Sequence, residues 1–159
     1  MTFTPEVEFK VGVHSYLARR LSVFEQFHLA SEFRDALIGL AVLKKDRPAD
    51  LDDRSFIKAI EYILTGGSKN LTPEMRERVM HRCLSVVKRK IENPGVGWTD
   101  IQLADGTLMY QDIHLPEMIA IMYQVIDHNG LLDFFFEGPS SLADQEEKTG
   151  PHSKMVKTG

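Results

Sequence analysis

The densest apolar pattern in the chain lies at residues 115–136. Between Met118 and Ile126 only Ala120, Tyr123 and Gln124 interrupt Met, Ile and Val. A helix that apolar on nearly every side must be wrapped by other elements or by a partner. Pro116 suits the first helical turn, where its missing N–H would be unpaired anyway, and Glu117 complements the helix dipole there. Asn129-Gly130 supplies a left-handed helix end, and Leu131-Leu132-Asp133-Phe134-Phe135-Phe136 adds another apolar turn or two. The stretch falls short of the ~18 unbroken apolar residues that a membrane span needs.

A second long helix is predicted over residues 22–43. Ser22-Val23-Phe24-Glu25 is a capping box, with Phe24, Phe27, Ala30, Phe33, Leu37 and Leu40 recurring behind it at helical spacing. The charged run Lys44-Lys45-Asp46-Arg47 and Pro48 ends it in a solvated loop. Asp52 or Asp53 caps a shorter helix carrying Phe56, Ile57, Ile60, Ile63 and Leu64, ended by Gly66-Gly67. Thr72-Pro73-Glu74 opens a fourth in the order cap, proline, acid. Its apolar row is Met75, Val79, Cys83 and Val87, with Met80, Leu84 and Ile91 beside it. Lys88-Arg89-Lys90 closes it where positive charge favours a helix C-terminus, and Asn93-Pro94-Gly95 stops it.

Period-two alternation is confined to two places. Phe3, Val7, Phe9, Val11 and Val13 share odd positions, and Gly12 with His14-Ser15 predicts a hairpin onto Tyr16-Leu17-Ala18, with Pro5 restricting that strand to an edge. Residues 98–103 and 108–110 flank Ala104-Asp105-Gly106-Thr107, a turn sequence for a second hairpin. Long helical periodicities outweigh these short runs. The expected fold is therefore mainly α: a compact domain of about four main helices with one or two small β-hairpins. It spans residues 1–138 and is followed by a flexible tail at 139–159, where Leu142, Met155 and Val156 offer little to bury.

Composition changes this picture only by exclusion. With 159 residues, 43% of them hydrophobic, the chain suits one soluble domain with a real core. A net charge of −4 argues against wholesale binding to nucleic acid or anionic membrane. A single cysteine excludes an internal disulfide framework and suits a reducing interior, and no signal-peptide pattern is expected at the N-terminus.

Candidate chemistry is sparse. Cys83 near His81 is read as a small buried hydrophobe, because its helical neighbours are Val79, Met80 and Val87 and no zinc spacing accompanies it. Asp112 with His114 and Asp127 with His128 sit at helix ends, where capping and dipole effects account for them. No phosphate loop or nucleophile motif is present, so no cofactor, metal or catalytic residue is assigned. Arg76, Arg78, Arg82, Lys88, Arg89 and Lys90 make the fourth helix basic, which is read first as a solvated face. Phe134, Phe135 and Phe136 project about 100° apart, so one small core cannot cover all three.

Three ordered stretches carry a resemblance. They are Arg20-Leu21-Ser22-Val23-Phe24-Glu25-Gln26-Phe27-His28 at the first helix, Cys83-Leu84-Ser85-Val86-Val87-Lys88-Arg89-Lys90 running through Gly97-Trp98, and Leu108-Met109-Tyr110-Gln111-Asp112-Ile113-His114-Leu115-Pro116 before the apolar helix and triple Phe. Together they resemble the tail assembly chaperones of long-tailed bacteriophages and prophages, over roughly residues 10–138. The loop at 65–70 and the acidic-then-basic tail depart from the family pattern.

The resemblance implies a non-enzymatic assembly factor in the host bacterial cytoplasm. It would bind the long, helical tape measure protein, keep it soluble and help to recruit tail tube subunits. Many such proteins are made in two forms, the longer by a translational frameshift, and self-association is also implied as an option. Met109, Met118, Met122, Phe134, Phe135 and Phe136 are the candidate client-binding residues, since flexible Met and unburied aromatics accommodate varied helical faces. The alternative is a small helical regulatory or nucleic-acid-associated protein, for which the basic helix speaks. An enzyme is the third class.

Overall fold

A computed structural model describes residues 6–47, 51–65, 72–91 and 97–135. The chain opens as predicted, with a hairpin of β1 (Glu6–Val11) and β2 (His14–Arg19). Val11 pairs with His14, so the loop is Gly12-Val13, and Gly12 takes φ 62 as a two-residue hairpin turn requires. His14 and Ser15 belong to β2 rather than to the turn. β1 is an edge strand of the sheet.

The predicted helix over 22–43 is two helices, α1 (Val23–Glu32) and α2 (Arg34–Asp46), parted at Phe33 with φ −119 and ψ 20. The capping box at Ser22 forms in full: its hydroxyl accepts from the Glu25 amide at 3.1 Å, and its amide donates to Glu25 Oε1 at 2.8 Å. Phe33 has no side-chain oxygen to cap α2, and its buried ring anchors the bend instead. The buried stripe of the pair runs through Leu29, Phe33, Ala36, Leu37, Leu40 and Ala41. Phe24 and Phe27, expected on the core face, are 78% and 66% exposed.

α3 (Asp53–Thr65) starts at Asp52, whose carboxylate accepts from the Ser55 amide at 2.8 Å. α4 (Pro73–Leu84) starts at Thr72, whose hydroxyl accepts from the Met75 amide at 3.1 Å. The expected terminators Gly66-Gly67 and Asn93-Pro94-Gly95 lie outside the described residues.

α4 does not run on to Lys90. It stops at Leu84, and Val87–Lys90 forms β3, which pairs antiparallel with β2 and with β4 (Trp98–Asp100). The helix ends where Ser85 Oγ donates back to the Arg82 carbonyl at 2.8 Å. Two β-branched valines follow, at 86 and 87, and prefer a pleated surface. From there burial alternates: Val87 and Arg89 face in, Lys88 and Lys90 face water. The basic triplet thus lies on a strand, and only its middle member is buried.

That strand overturns the mainly α expectation. It joins the two hairpins into one four-stranded antiparallel sheet, ordered β1-β2-β3-β4, so the fold is mixed α and β. The second hairpin is reduced to β4 and a single bridge between Gln102 and Leu108, closed by the Gly106 turn with φ 93.

α5 (Leu115–His128) sits at the centre, against α3, α4 and β1. It buries Ile119, Ile121, Met122, Tyr123, Val125 and Ile126, and Tyr123 meets Phe56 of α3 edge to face at 5.3 Å. Gly130 at φ 73 ends it, and a short helix, α6, covers 131–135. The protein's own elements therefore wrap the predicted central helix. Among the described residues no helix is long and apolar enough to cross a membrane.

Candidate functional site

α1 carries two apolar stripes. Leu29 and Phe33 mark the one that enters the core. Phe27 lies about 200° around the helix from Leu29, and Val23, Phe27, Ala30 and Arg34 follow one another four, three and four residues apart on this outer side. Across from them stand Leu131, Phe134 and Phe135 of α6, and the two helices wall a groove of about 560 Å³. Its lining is mainly apolar, with Gln26, Ser31 and Asn129 as polar members, and Arg34 is its one charged residue among the described residues.

Specific contacts fix the walls. Asn129 Oδ1 accepts from the Leu21 amide at 3.0 Å, while its Nδ2 donates to the Val125 carbonyl at 2.7 Å. One side chain thereby ties the start of α1 to the end of α5. Gln26 Nε2 donates to the Leu21 carbonyl at 2.9 Å and stiffens the same corner. Buried Leu131 and Leu132 hold α6 on the core. Phe134 and Phe135 meet edge to face at 5.3 Å, with the Arg34 guanidinium 5.3 Å over the Phe135 ring. Phe134 is 59% exposed beside the open Phe27. A groove walled by exposed aromatics on a held frame is suited to take up another apolar surface.

A polar cluster lies at the opposite end of α5. Arg89, 7% exposed on β3, donates to both oxygens of Asp112 at 2.7 and 2.8 Å. His14 Nε2 is 2.8 Å from the same guanidinium, which also stacks 4.2 Å over the Tyr110 ring. The Arg89 pair holds the Asp112 carboxyl at about 2, well below the usual carboxylate range. Tyr110 in turn hydrogen-bonds Thr99. The cluster joins β2, β3, β4 and the entry to α5.

The other sequence candidates fall as follows. Asp112 pairs with Arg89 and not with His114, which is exposed at the start of α5 and makes no cap hydrogen bond. Asp127 binds Lys44 at 2.6 Å, and the His128 ring lies tilted against Phe9. Cys83 is fully buried, and burial pushes its thiol up to about 12. Among the described residues no three His, Cys, Asp or Glu side chains gather as a metal site would. On α4, Arg78 binds Glu32 at 2.7 Å, with Arg82 3.6 Å from the same carboxylate, and Arg76 donates to the Thr65 carbonyl. Pairing with Arg78 keeps the Glu32 carboxyl below its ordinary value. The predicted basic stripe is thus divided between two elements and largely engaged within the protein.

The sequence matches the family described as phage tail assembly chaperone protein, TAC, over residues 12–143. The chain belongs to that family. No curated protein and no solved structure matches it. The matched span takes in both walls of the groove and the polar cluster.

Of the six residues predicted for client contact, Phe134 and Phe135 line the groove and Phe136 lies outside the described residues. Met109 is half exposed on the second hairpin, apart from the groove lining. Met118 is half-buried against the core and Met122 is buried. Val23, Phe27, Ala30 and Arg34 line the same groove and are not among the six, because helical spacing puts Phe27 and Ala30 on the core face. The signal was present: the helix repeats apolar residues along two stripes, and a single core needs one.

Proposed function

We propose that this chaperone binds the phage tape measure protein, keeps it soluble and helps to recruit tail tube subunits around it during tail morphogenesis. Membership of the tail assembly chaperone family across residues 12–143 carries this reading. The physical support is an aromatic surface left open on a well-packed domain. A long helical client exposes apolar faces until the tube covers it, and a transient cover needs apolar area without a permanent interface. The role needs no bond-making step, which fits a non-enzymatic factor working in the host cytoplasm.

Phe134 and Phe135 are the proposed contacts, with Phe136 continuing the run and Met109 as an outlying contact. Met122 would have to leave the core to reach a client, and Met118 offers only its half-exposed edge. Binding that rests on apolar contact should depend little on salt, unlike phosphate binding by a basic stripe. Co-expression with the tape measure protein of the same phage tests the reading. The client should be recovered soluble and in complex with the chaperone. A client equally insoluble with and without it, with no complex formed, would overturn it.

A further inference from the structure

The groove between α1 and α6 has a recognition chemistry of its own. Its first wall follows α1 from Val23 to Ser31, roughly 12 Å or about two helical turns at 1.5 Å per residue, and continues past the bend at Phe33 to Arg34, the first residue of α2. Large apolar groups line both walls: Val23 and Phe27 from α1, Phe134 and Phe135 from α6. Ala30 and Ser31 on α1 and Gly130 ahead of α6 are small members of the same lining and leave room for a backbone to come close. The far end holds Arg34. Its guanidinium lies over Phe135, and no carboxylate among the described residues pairs with it. A mainly apolar groove with one cation at the end of its first wall is complementary to an apolar ridge followed by one anion.

We infer that the groove docks a single amphipathic helix of the tape measure protein, with large apolar residues three and four apart and an acidic residue beyond them that meets Arg34. This rests on the tape measure reading and adds the place and pattern of contact. A helix fits better than an extended strand, because the groove is walled by side chains and exposes no sheet edge. Arg34 sets direction: only one orientation of the client helix puts its acid on the guanidinium, where a bidentate pair forms beside the Phe135 ring.

The test uses the full chain co-expressed with the tape measure protein of the same phage. Phe27→Asp and Phe134→Asp should lower recovery of soluble complex on the order of tenfold or more, as expected for central aromatic contacts. Both side chains are exposed, so the helical circular dichroism spectrum should stay unchanged. Arg34→Glu should cause a smaller loss, restored when the client acid is replaced by Lys. A photo-crosslinking amino acid at Ala30 should mark one client segment carrying the apolar spacing and the acid.

Complex recovered undiminished with Phe27→Asp and with Arg34→Glu overturns the groove and leaves the tape measure reading standing. The same holds for a cross-link to a second copy of this chain, or to a client segment without the pattern. A wild-type chain that recovers no client overturns the reading and the groove together.

Discussion

The two ends of α5 are finished in opposite ways. At its N-terminal end the approach from the sheet is closed by charge: Arg89 is buried and bidentate to Asp112, with His14 and Tyr110 against it. At its C-terminal end Asn129 and Gly130 turn the chain into α6, and apolar rings stand in solvent across from α1. The first end pairs its opposite charges locally and offers a partner little. The second holds its frame by hydrogen bonds from Asn129 and Gln26 and leaves its apolar area uncovered. A polar group left unpaired in a core costs stability at once, whereas exposed rings cost solubility and gain whenever a partner arrives.

The body of α5 between these ends sets the scale. Ile126→Ala removes a fully buried side chain and should cost about 3 kcal/mol, read from urea unfolding at fixed protein concentration. A loss below about 1 kcal/mol would mean that the centre of the helix is loosely packed.

Arg89→Met should come next. It strips Asp112 and His14 of their shared partner, but Asp112 is half exposed and regains water, so the urea midpoint should fall less than for Ile126→Ala. The acid limb identifies the cause. Asp112 titrates lower in the folded state than in the unfolded chain, so the pair stabilises fully above the ordinary carboxylate value near 4 and loses its effect as pH falls towards about 2. Wild type should lose stability more steeply than Arg89→Met across that window. Parallel acid limbs would remove the pair from the account.

Cys83→Ala should cost about 1 kcal/mol for a small buried group. The native thiol should resist alkylation until the chain unfolds, since burial raises it to about 12. Rapid labelling in native buffer would contradict this packing.

The smallest stability effects belong to the open end. Phe27→Ser and Phe134→Ser should shift unfolding by no more than about 0.5 kcal/mol, because the rings have little to lose on leaving water. A cost near that of Ile126→Ala would show that the groove is part of the core, and the contrast between the two ends would disappear.

Local physical rules were legible without the fold. The capping box at Ser22, the Thr72-Pro73 helix start, the Gly12 turn, the Gly130 end of α5 and the burial of Cys83 each depend on residues within a few positions of one another. Family membership was legible for a related reason, being written in the order of such stretches. What misled was whatever depends on distant residues. Residues 87–90 carry a basic run that suits a helix end as well as an edge of alternation, and pairing with β2, some seventy residues earlier in the chain, decided for strand. Phe33 has no helix-breaking chemistry, yet its place in the core bends α1 from α2.

The groove shows the same limit. Spacing announced that α1 has apolar residues on two sides but not which side the core would take, since a helix can be rotated to bury either. Only the packing of Leu29 and Phe33 inward, and the arrival of α6 from a hundred residues away, put Phe27 opposite Phe134. By itself the sequence determined where the capped helices start and which surfaces are apolar, because those follow from neighbouring residues. Tertiary structure alone decided which apolar surface was buried and which stayed open, because burial depends on how the whole chain shares one core.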